Sequence, residues 1–120
     1  MNNPYQQFMK QSVSTMTPVE LLIALYDKAE QELKKSIHFI ENKDYEKAGA
    51  AIFKVQDIVA MLDGSLKMKY EISENLAALY DFFMVELIRA NTTKDIEVIK
   101  PLIPLFADLK DAFTQISRKG

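Results

Sequence analysis

Glycine is scarce in this chain, and that scarcity most limits what the chain can fold into. Only three of the 120 residues are glycine, at positions 49, 64 and 120. A sheet of many short strands needs turn residues at each reversal, and three glycines leave little of that turn chemistry. Apolar residues instead recur every three or four positions, as in amphipathic helices. The sequence therefore predicts an all-α fold.

The first long helix is predicted from a start signal followed by an apolar stripe. Thr17 can cap the helix, Pro18 suits its first position, and Glu20 can bond back to the cap. The residues expected to face the core are Leu22, Tyr26, Ala29, Leu33, Ile37 and Ile40. The chain is then expected to turn at residues 41–44.

A second helix is predicted from Asp44, its cap, to a break near Gly64. The residues expected to face the core are Tyr45, Ala48, Ile52, Val55, Val59 and Leu62. Because the link before it is short, the first two helices should pack antiparallel.

The second half of the chain predicts two more helical segments. Ser73 is expected to open the third helix, which should end at Asn91. Thr93 is expected to cap the last segment, in which Pro101 and Pro104 each remove a backbone donor and should cause a kink or a break. The apolar residues of these two segments are Leu76, Tyr80, Phe83, Leu87, Ala90, Ile96, Ile99, Ile103, Phe106, Leu109, Phe113 and Ile116.

The first sixteen residues have no stripe of their own that could join the bundle. We therefore divide the chain into an N-terminal plug segment, residues 1–16, and a single helical domain, residues 17–120. The plug segment carries apolar anchors that need apolar surface, and the nearest surplus surface is at Leu21 and Leu25. We expect the segment to cover that surface in the free protein.

Several apolar residues exceed what one core contact requires. Leu21, Leu25 and Phe39 lie off the stripe of the first helix, and Phe53 and Met61 lie off that of the second. Residues 81–88 of the third helix are apolar almost all round. Two interpretations stay open: neighbouring helices bury this surplus, or part of it forms a groove for a partner helix.

Composition excludes several functions and favours the cytosol. The formal charge of −2 gives no dense positive field for nucleic acid. There is no cysteine, which excludes disulfides and thiolate chemistry and fits a reducing compartment. Neither a secretory leader nor an apolar run of about 18 residues is recognisable. We expect a cytoplasmic protein with no nucleic-acid partner and no membrane insertion.

Little in the sequence points to catalysis. His38 is the only histidine and lies opposite the core stripe, so a surface role is expected. One alternative is a histidine phosphotransfer domain, but such domains place a lysine three residues on and then a glycine, where this chain has Glu41 and Asn42. One histidine without cysteine does not build the usual zinc or di-metal sites. We expect no enzyme activity, no catalytic residue, no metal and no cofactor.

A series of short blocks carries a resemblance to a known family. They begin with Asn3-Pro4-Tyr5, Ser12-Val13, residues 15–22 (TMTPVELL) and Leu25-Tyr26-Asp27. Later blocks are DYEKA at 44–48, KVQDIV at 54–59, Ser65-Leu66, Asn75-Leu76, Leu79-Tyr80-Asp81 and LIRAN at 87–91. In order and spacing, nearly the whole chain resembles the flagellin-specific flagellar secretion (export) chaperones of bacteria, the FliS family.

The resemblance implies both a fold and a function. The implied fold is an antiparallel four-helix bundle with a short N-terminal helical segment. The implied function is binding the disordered C-terminal region of flagellin, preventing its premature polymerisation and delivering it to the type III export gate. The expected state is a monomer or weak homodimer. Combined with the surplus apolar surface, this predicts flagellin-binding residues Tyr5, Phe8, Val13, Leu21, Leu22, Leu25 and Tyr26.

The chain departs from the family pattern at a few positions. Phe8 stands where a tyrosine is common, Lys28 where a glycine is frequent, and Phe113 where a tryptophan is usual. Pro101 and Pro104 fall where the last helix normally runs unbroken. A phosphotransfer domain and a purely structural bundle remain the alternatives.

Overall fold

The chain folds into helices, as the glycine content predicts. The computed structural model describes residues 16–66 and 71–119, apart from the side chains of residues 71, 72 and 119. Its helices are α1 (Pro18–Glu41), α2 (Tyr45–Gly64), α3 (Glu71–Thr93), the single turn α4 (Ile96–Ile99) and α5 (Leu102–Lys119). These residues contain no strand. The plug segment falls outside the described residues except for Met16.

The four long helices form a bundle in which α1 has two long contacts. It packs against α2 on one side and against α5 on the other, while α3 packs against α2. The rings of Phe83 on α3 and Phe106 on α5 stack with their centroids 4.2 Å apart and close the bundle. At the surface, Lys110 of α5 donates to Asp27 at 3.1 Å and to Glu30 at 3.2 Å, both on α1. The predicted four-helix bundle is confirmed.

Most of the predicted stripe residues fill the core. From Tyr26 and Leu33 on α1 to Phe106 on α5, the central positions of each stripe are buried, and the flanking ones pack partly buried against them. The prediction of a core position is wrong for two stripe residues. Tyr45 and Ile116 are about half exposed, because they lie in the first turn of α2 and the last turn of α5, at the ends of the helix contacts.

Local capping fixes where the first two helices begin. The Thr17 hydroxyl accepts from the Glu20 amide at 3.1 Å, and the Glu20 carboxylate accepts from the Thr17 amide at 3.3 Å. Asp44 accepts from the Lys47 amide at 3.2 Å. Between the helices, Lys43 takes a left-handed conformation (φ 60°), which reverses the chain. Both predicted starts and the predicted turn are confirmed.

The ends of α3 differ from the prediction. The helix begins at Glu71, so Ser73 lies inside it and is buried. It also continues past Asn91 to Thr93, and Lys94 takes the left-handed position (φ 54°) expected of Asn91. The hydroxyls of Thr92 and Thr93 donate to carbonyls four residues back, as threonine side chains within a helix can.

The last segment begins differently as well. Asp95, and not Thr93, caps the turn α4, and it accepts from the Glu97 amide at 2.9 Å. The helix then breaks before Leu102, at Pro101, as predicted. Pro104 falls within the first turn of α5, where the backbone amides have no partner inside the helix, so it needs no further break.

Among the side chains that the structure describes, one carboxylate is buried, that of Glu32, which is 1% exposed. It pairs with Lys28 at 3.1 Å and with Lys35 at 3.4 Å. Burial alone would raise the pKa of Glu32, but the hydrogen bond from Lys28 and the charges of Lys28, Lys54 and Lys35 hold this pKa below its ordinary value. Glu32 therefore stays ionised at neutral pH.

We predict that Glu32→Gln lowers stability by about 1 kcal/mol at pH 7, because the amide loses the charge that the lysines stabilise. A carboxylate whose folded-state pKa is lowered stabilises the protein above its unfolded pKa of about 4.3. That contribution is lost as the pH falls through the folded pKa. Urea unfolding of both proteins from pH 7 to pH 3 should show the difference shrinking towards acid, whereas a constant difference would contradict this assignment.

Candidate functional site: apolar surfaces for a partner

The first turns of α1 carry a patch of half-buried apolar side chains. Val19, Leu21, Leu22 and Ile23 all remain partly accessible, and we call these four residues the α1 entry surface. Leu21 and Leu22 are partly buried and pack against the core. Both are among the predicted flagellin-binding residues.

The expectation that Leu25 is surplus to the core is wrong. Leu25 is 3% exposed and belongs to the core cluster. The prediction assumed that α1 buries one stripe, but α1 contacts both α2 and α5. A helix between two neighbours buries a wider arc, and Leu25 falls inside it.

Tyr26 is also a core residue. Its hydroxyl and that of Tyr80 on α3 lie 2.6 Å apart in a buried hydrogen bond, and its ring lies 5.6 Å from that of Phe113. Burial and the Tyr80 contact raise the pKa of Tyr26 far above its ordinary range, so the phenol stays neutral. Tyr26 is therefore a buried residue of the core, one helical turn after Leu22 on α1.

The other three predicted binding residues, Tyr5, Phe8 and Val13, lie outside the described residues. The structure therefore brings together Leu21, Leu22, Leu25 and Tyr26 at the start of α1, with the first two partly accessible and the other two beneath them. Their role in binding flagellin stays a prediction.

A second apolar surface lies where α2 and α3 pack together. Phe53 of α2 is 60% exposed, and Val85 and Ile88 of α3 are 65% and 51% exposed. Phe53 and Ile88, with Gln56, Asn91 and Thr92, line a shallow cavity of about 300 Å³. We call Phe53, Gln56, Val85, Ile88 and Asn91 the α2–α3 face.

The exposure of this face decides between the two interpretations of the surplus residues. Phe53 and Met61 lie off the core stripe of α2 as predicted and are exposed. On α3, Phe83 and Leu87 are buried, but Phe82, Val85 and Ile88 are not. The interpretation that neighbouring helices bury the whole surplus is therefore wrong.

Polar contacts hold the two helices of this face in place. Asn91 of α3 donates to Gln56 of α2 at 3.3 Å, and Gln56 donates to the Met84 sulfur at 4.0 Å. Lys94 donates to the side-chain oxygen of Asn91 at 2.9 Å and also to its carbonyl. A Cβ at Gly49 would lie 3.2 Å from the Asn91 oxygen, so glycine permits this approach. The face is formed before any partner arrives.

The sequence did not predict the polar contacts of Asn91 and Gln56. Asn91 was expected to end a helix, and Gln56 was not singled out. The available signal was the position of Gln56 three residues after Phe53 and of Asn91 three residues after Ile88, because residues three apart share one helix face. Pairing the two faces required knowing that α2 and α3 are neighbours.

The described residues give little sign of other chemistry. His38 is exposed and lies 3.3 Å from the Asn42 amide nitrogen, as its predicted surface position requires. Within residues 16–66 and 71–119, no three His, Asp or Glu side chains are grouped to hold a metal ion. None of the helices in that part of the chain is long and apolar enough to cross a membrane.

Comparison with known proteins agrees with this architecture. The model of the family "Flagellar protein FliS" matches residues 1–120. The flagellar secretion chaperone FliS of Bacillus subtilis strain 168 is 31% identical over 113 residues, which cover 94% of this chain and 85% of that protein. The flagellar secretion chaperone FliS of Salmonella typhimurium strain LT2 is 30% identical over 121 residues, covering 96% and 87%.

The fold is shared with a solved structure. A bacterial flagellar chaperone known from a crystal structure superposes with a TM-score of 0.81 at 18% sequence identity, covering 97% of this chain and 96% of its own. At that identity the likeness concerns the fold alone. The match of the family model over the whole chain and the two relatives at 30% identity or more show that this chain belongs to the FliS family of flagellar secretion chaperones.

Proposed function

We propose that this chaperone binds the disordered C-terminal region of flagellin in the bacterial cytoplasm, prevents its premature polymerisation and delivers it to the flagellar type III export apparatus. The observation that carries the proposal is the α2–α3 face, where Phe53, Val85 and Ile88 are exposed and Phe53 and Ile88 line a cavity on the folded bundle. Contiguous exposed apolar surface with a polar rim is typical of protein-binding sites.

Energetics favour a long contact over a single pocket. Ordering the backbone of a disordered segment costs about 1–2 kcal/mol per residue, and burying one large apolar side chain returns about 1.5–3 kcal/mol. A cavity of about 300 Å³ holds too few side chains to offset that cost. The flagellin segment therefore folds as amphipathic helices that occupy both the α2–α3 face and the α1 entry surface.

At the α1 entry surface, the proposed contacts follow the exposure of the side chains. Leu21 and Leu22 are partly accessible and contact the cargo directly. Leu25 and Tyr26 are buried and form the floor of the same surface. Tyr5, Phe8 and Val13 of the plug segment complete the contact. In the free protein, we expect the plug segment to cover the accessible part of the α1 entry surface at Leu21.

Calorimetric titration with flagellin, and with flagellin that lacks its C-terminal segment, tests the function. Intact flagellin should bind with a negative heat-capacity change, because binding buries apolar surface. The isolated C-terminal segment should gain helicity on mixing, seen as a circular-dichroism spectrum that differs from the sum of the components. Equal binding of the truncated flagellin would exclude the proposed cargo segment.

A matched pair of variants tests whether the α2–α3 face binds the cargo. Ile88 of α3 and Tyr45 of α2 are each 51% exposed. We expect Ile88→Ser to weaken binding of the flagellin C-terminal segment by about tenfold, or 1.4 kcal/mol. Tyr45→Ser, in the first turn of α2 and about two turns before Phe53, should leave this affinity unchanged. Both should alter the free energy of unfolding by at most about 0.5 kcal/mol, because both residues are at the surface.

Deleting residues 1–12 tests the plug segment. If the segment contributes aromatic contacts to the cargo, the deletion weakens binding, and Phe8→Ala reproduces much of the loss. We expect this outcome. Tighter binding would show that the segment only competes with the cargo. A deletion that changes neither the affinity nor the hydrogen exchange of residues 21–25 would refute both roles.

A further inference from the structure

A second cavity lies on the other flank of α2, between α2 and α1. It has a volume of about 200 Å³. Its apolar part is formed by Phe39 of α1 with Ala50 and Ala51 of α2. At 100° per residue, its α2 residues lie roughly 140° around the helix from Phe53 and Gln56. The cavity is therefore separate from the α2–α3 face.

The rim of this cavity is basic. Lys35 of α1 and Lys47 and Lys54 of α2 line it, together with the carboxylate of Glu32. We call it the lysine cavity. The Glu32 carboxylate is buried and paired with Lys28 and Lys35, so it balances part of the positive charge of this rim. The Lys47 ammonium, 3.7 Å from Asp44, lies 6.0 Å from the centroid of the Phe39 ring.

The rim of this cavity keeps a net positive charge although the chain as a whole has a formal charge of −2. Three lysines surround one apolar hollow, and the carboxylates of Glu32 and Asp44 pair with two of them, which leaves an excess of one positive charge. Burial of Glu32 explains why Lys35 is there, but it does not explain Lys47, which reaches towards Asp44 and Phe39 instead. A ring of cations around an apolar floor complements a bulky apolar side chain with carboxylates beside it.

The volume limits what can enter. Small-molecule sites usually enclose about 300–1,000 Å³, and the lysine cavity is smaller. A single large side chain can occupy such a space. Lysine ammonium groups on flexible stems can then meet carboxylates at variable positions, as an amphipathic helix would present them.

We propose that the lysine cavity is a second partner-binding site, which takes one bulky apolar side chain of an acidic amphipathic helix belonging to a partner protein. Because the cavity and the α2–α3 face lie on different flanks of α2, the chaperone can bind this partner while it holds its cargo. The two sites then connect a cargo to a second protein through one helix.

The test uses the full-length protein labelled with ¹⁵N and an alanine-rich helical peptide of about 15 residues, long enough to form a helix. The peptide carries one leucine flanked by glutamates one turn away on each side. Amide shifts on titration should centre on the residues that line the lysine cavity. Raising the salt concentration should weaken binding, because the carboxylate contacts are screened.

Variants separate the lysine cavity from general attraction of anions. Lys54→Glu should weaken peptide binding about tenfold, and Ala50→Tyr, which fills the cavity from an exposed position, should abolish it. The matched controls are Lys100→Glu, an exposed lysine on another part of the surface, and Ala112→Tyr, an exposed alanine of α5. Both controls should bind the peptide as the unchanged protein does, and thermal melts of all four variants confirm that they fold.

Two results would overturn the proposal. One is equal binding of a peptide whose leucine is replaced by glutamine, because the surface would then only collect negative charge. The other is equal weakening by Lys54→Glu and Lys100→Glu. Titration with the flagellin C-terminal segment keeps this proposal apart from the cargo site. Lys54→Glu should retain flagellin binding, and Ile88→Ser should retain peptide binding. If Lys54→Glu loses both ligands, the cavity is part of the cargo site, and the proposal of a second partner is refuted.

Discussion

The bundle depends on α1, because α2 and α5 both pack along it. A helix with two long contacts must bury more than one narrow stripe, so Leu25 enters the core beside Tyr26 and Leu33. At the centre, the Tyr26 hydroxyl meets that of Tyr80 from α3, which satisfies both polar groups inside an apolar core. This hydrogen bond joins α3 to α1, although the two helices share few backbone contacts.

Once the core is filled in this way, some apolar side chains have no place in it. α3 packs mainly against α2, and its outer side keeps Val85 and Ile88 accessible, with Ile88 and Phe53 lining one cavity. The Asn91–Gln56 hydrogen bond joins the two helices beside this cavity, so a partner meets a preformed surface. Because the surface is already formed, only the disordered cargo loses conformational freedom on binding. The proposed function follows from what the core leaves uncovered.

The sequence predicted the features that local chemistry decides. Thr17, Pro18 and Glu20 define the start of α1 within one turn, and Asp44 does the same for α2. The burial of Leu25 could not be predicted, because it depends on α5 joining α1 from about 80 residues away along the chain. The exposure of Tyr45 likewise depends on where a neighbouring helix stops. The left-handed residue after α3 was misplaced because Asn91 is used in a contact with α2 instead.

The sequence predicted that surplus apolar residues form the candidate site, but it located only part of that site. Helical spacing identified Phe53 as surplus to the core, yet it could not show that Ile88 lies beside it across the α2–α3 packing. The lysine cavity was invisible for the same reason: Lys54 of α2 approaches Glu32 and Lys35 of α1 only after α1 and α2 pack. Contacts between helices, and not the helices themselves, mark the limit of the sequence prediction.

The central claim is that the cargo binds the surface left outside the core. Hydrogen exchange of the full-length protein, free and saturated with the flagellin C-terminal segment, tests it most directly. We expect slower exchange in the first turns of α1 and in the parts of α2 and α3 that carry Phe53 and Ile88, with the first turn of α2 around Tyr45 unchanged. Protection confined to α5, with α2 and α3 unaffected, would contradict it.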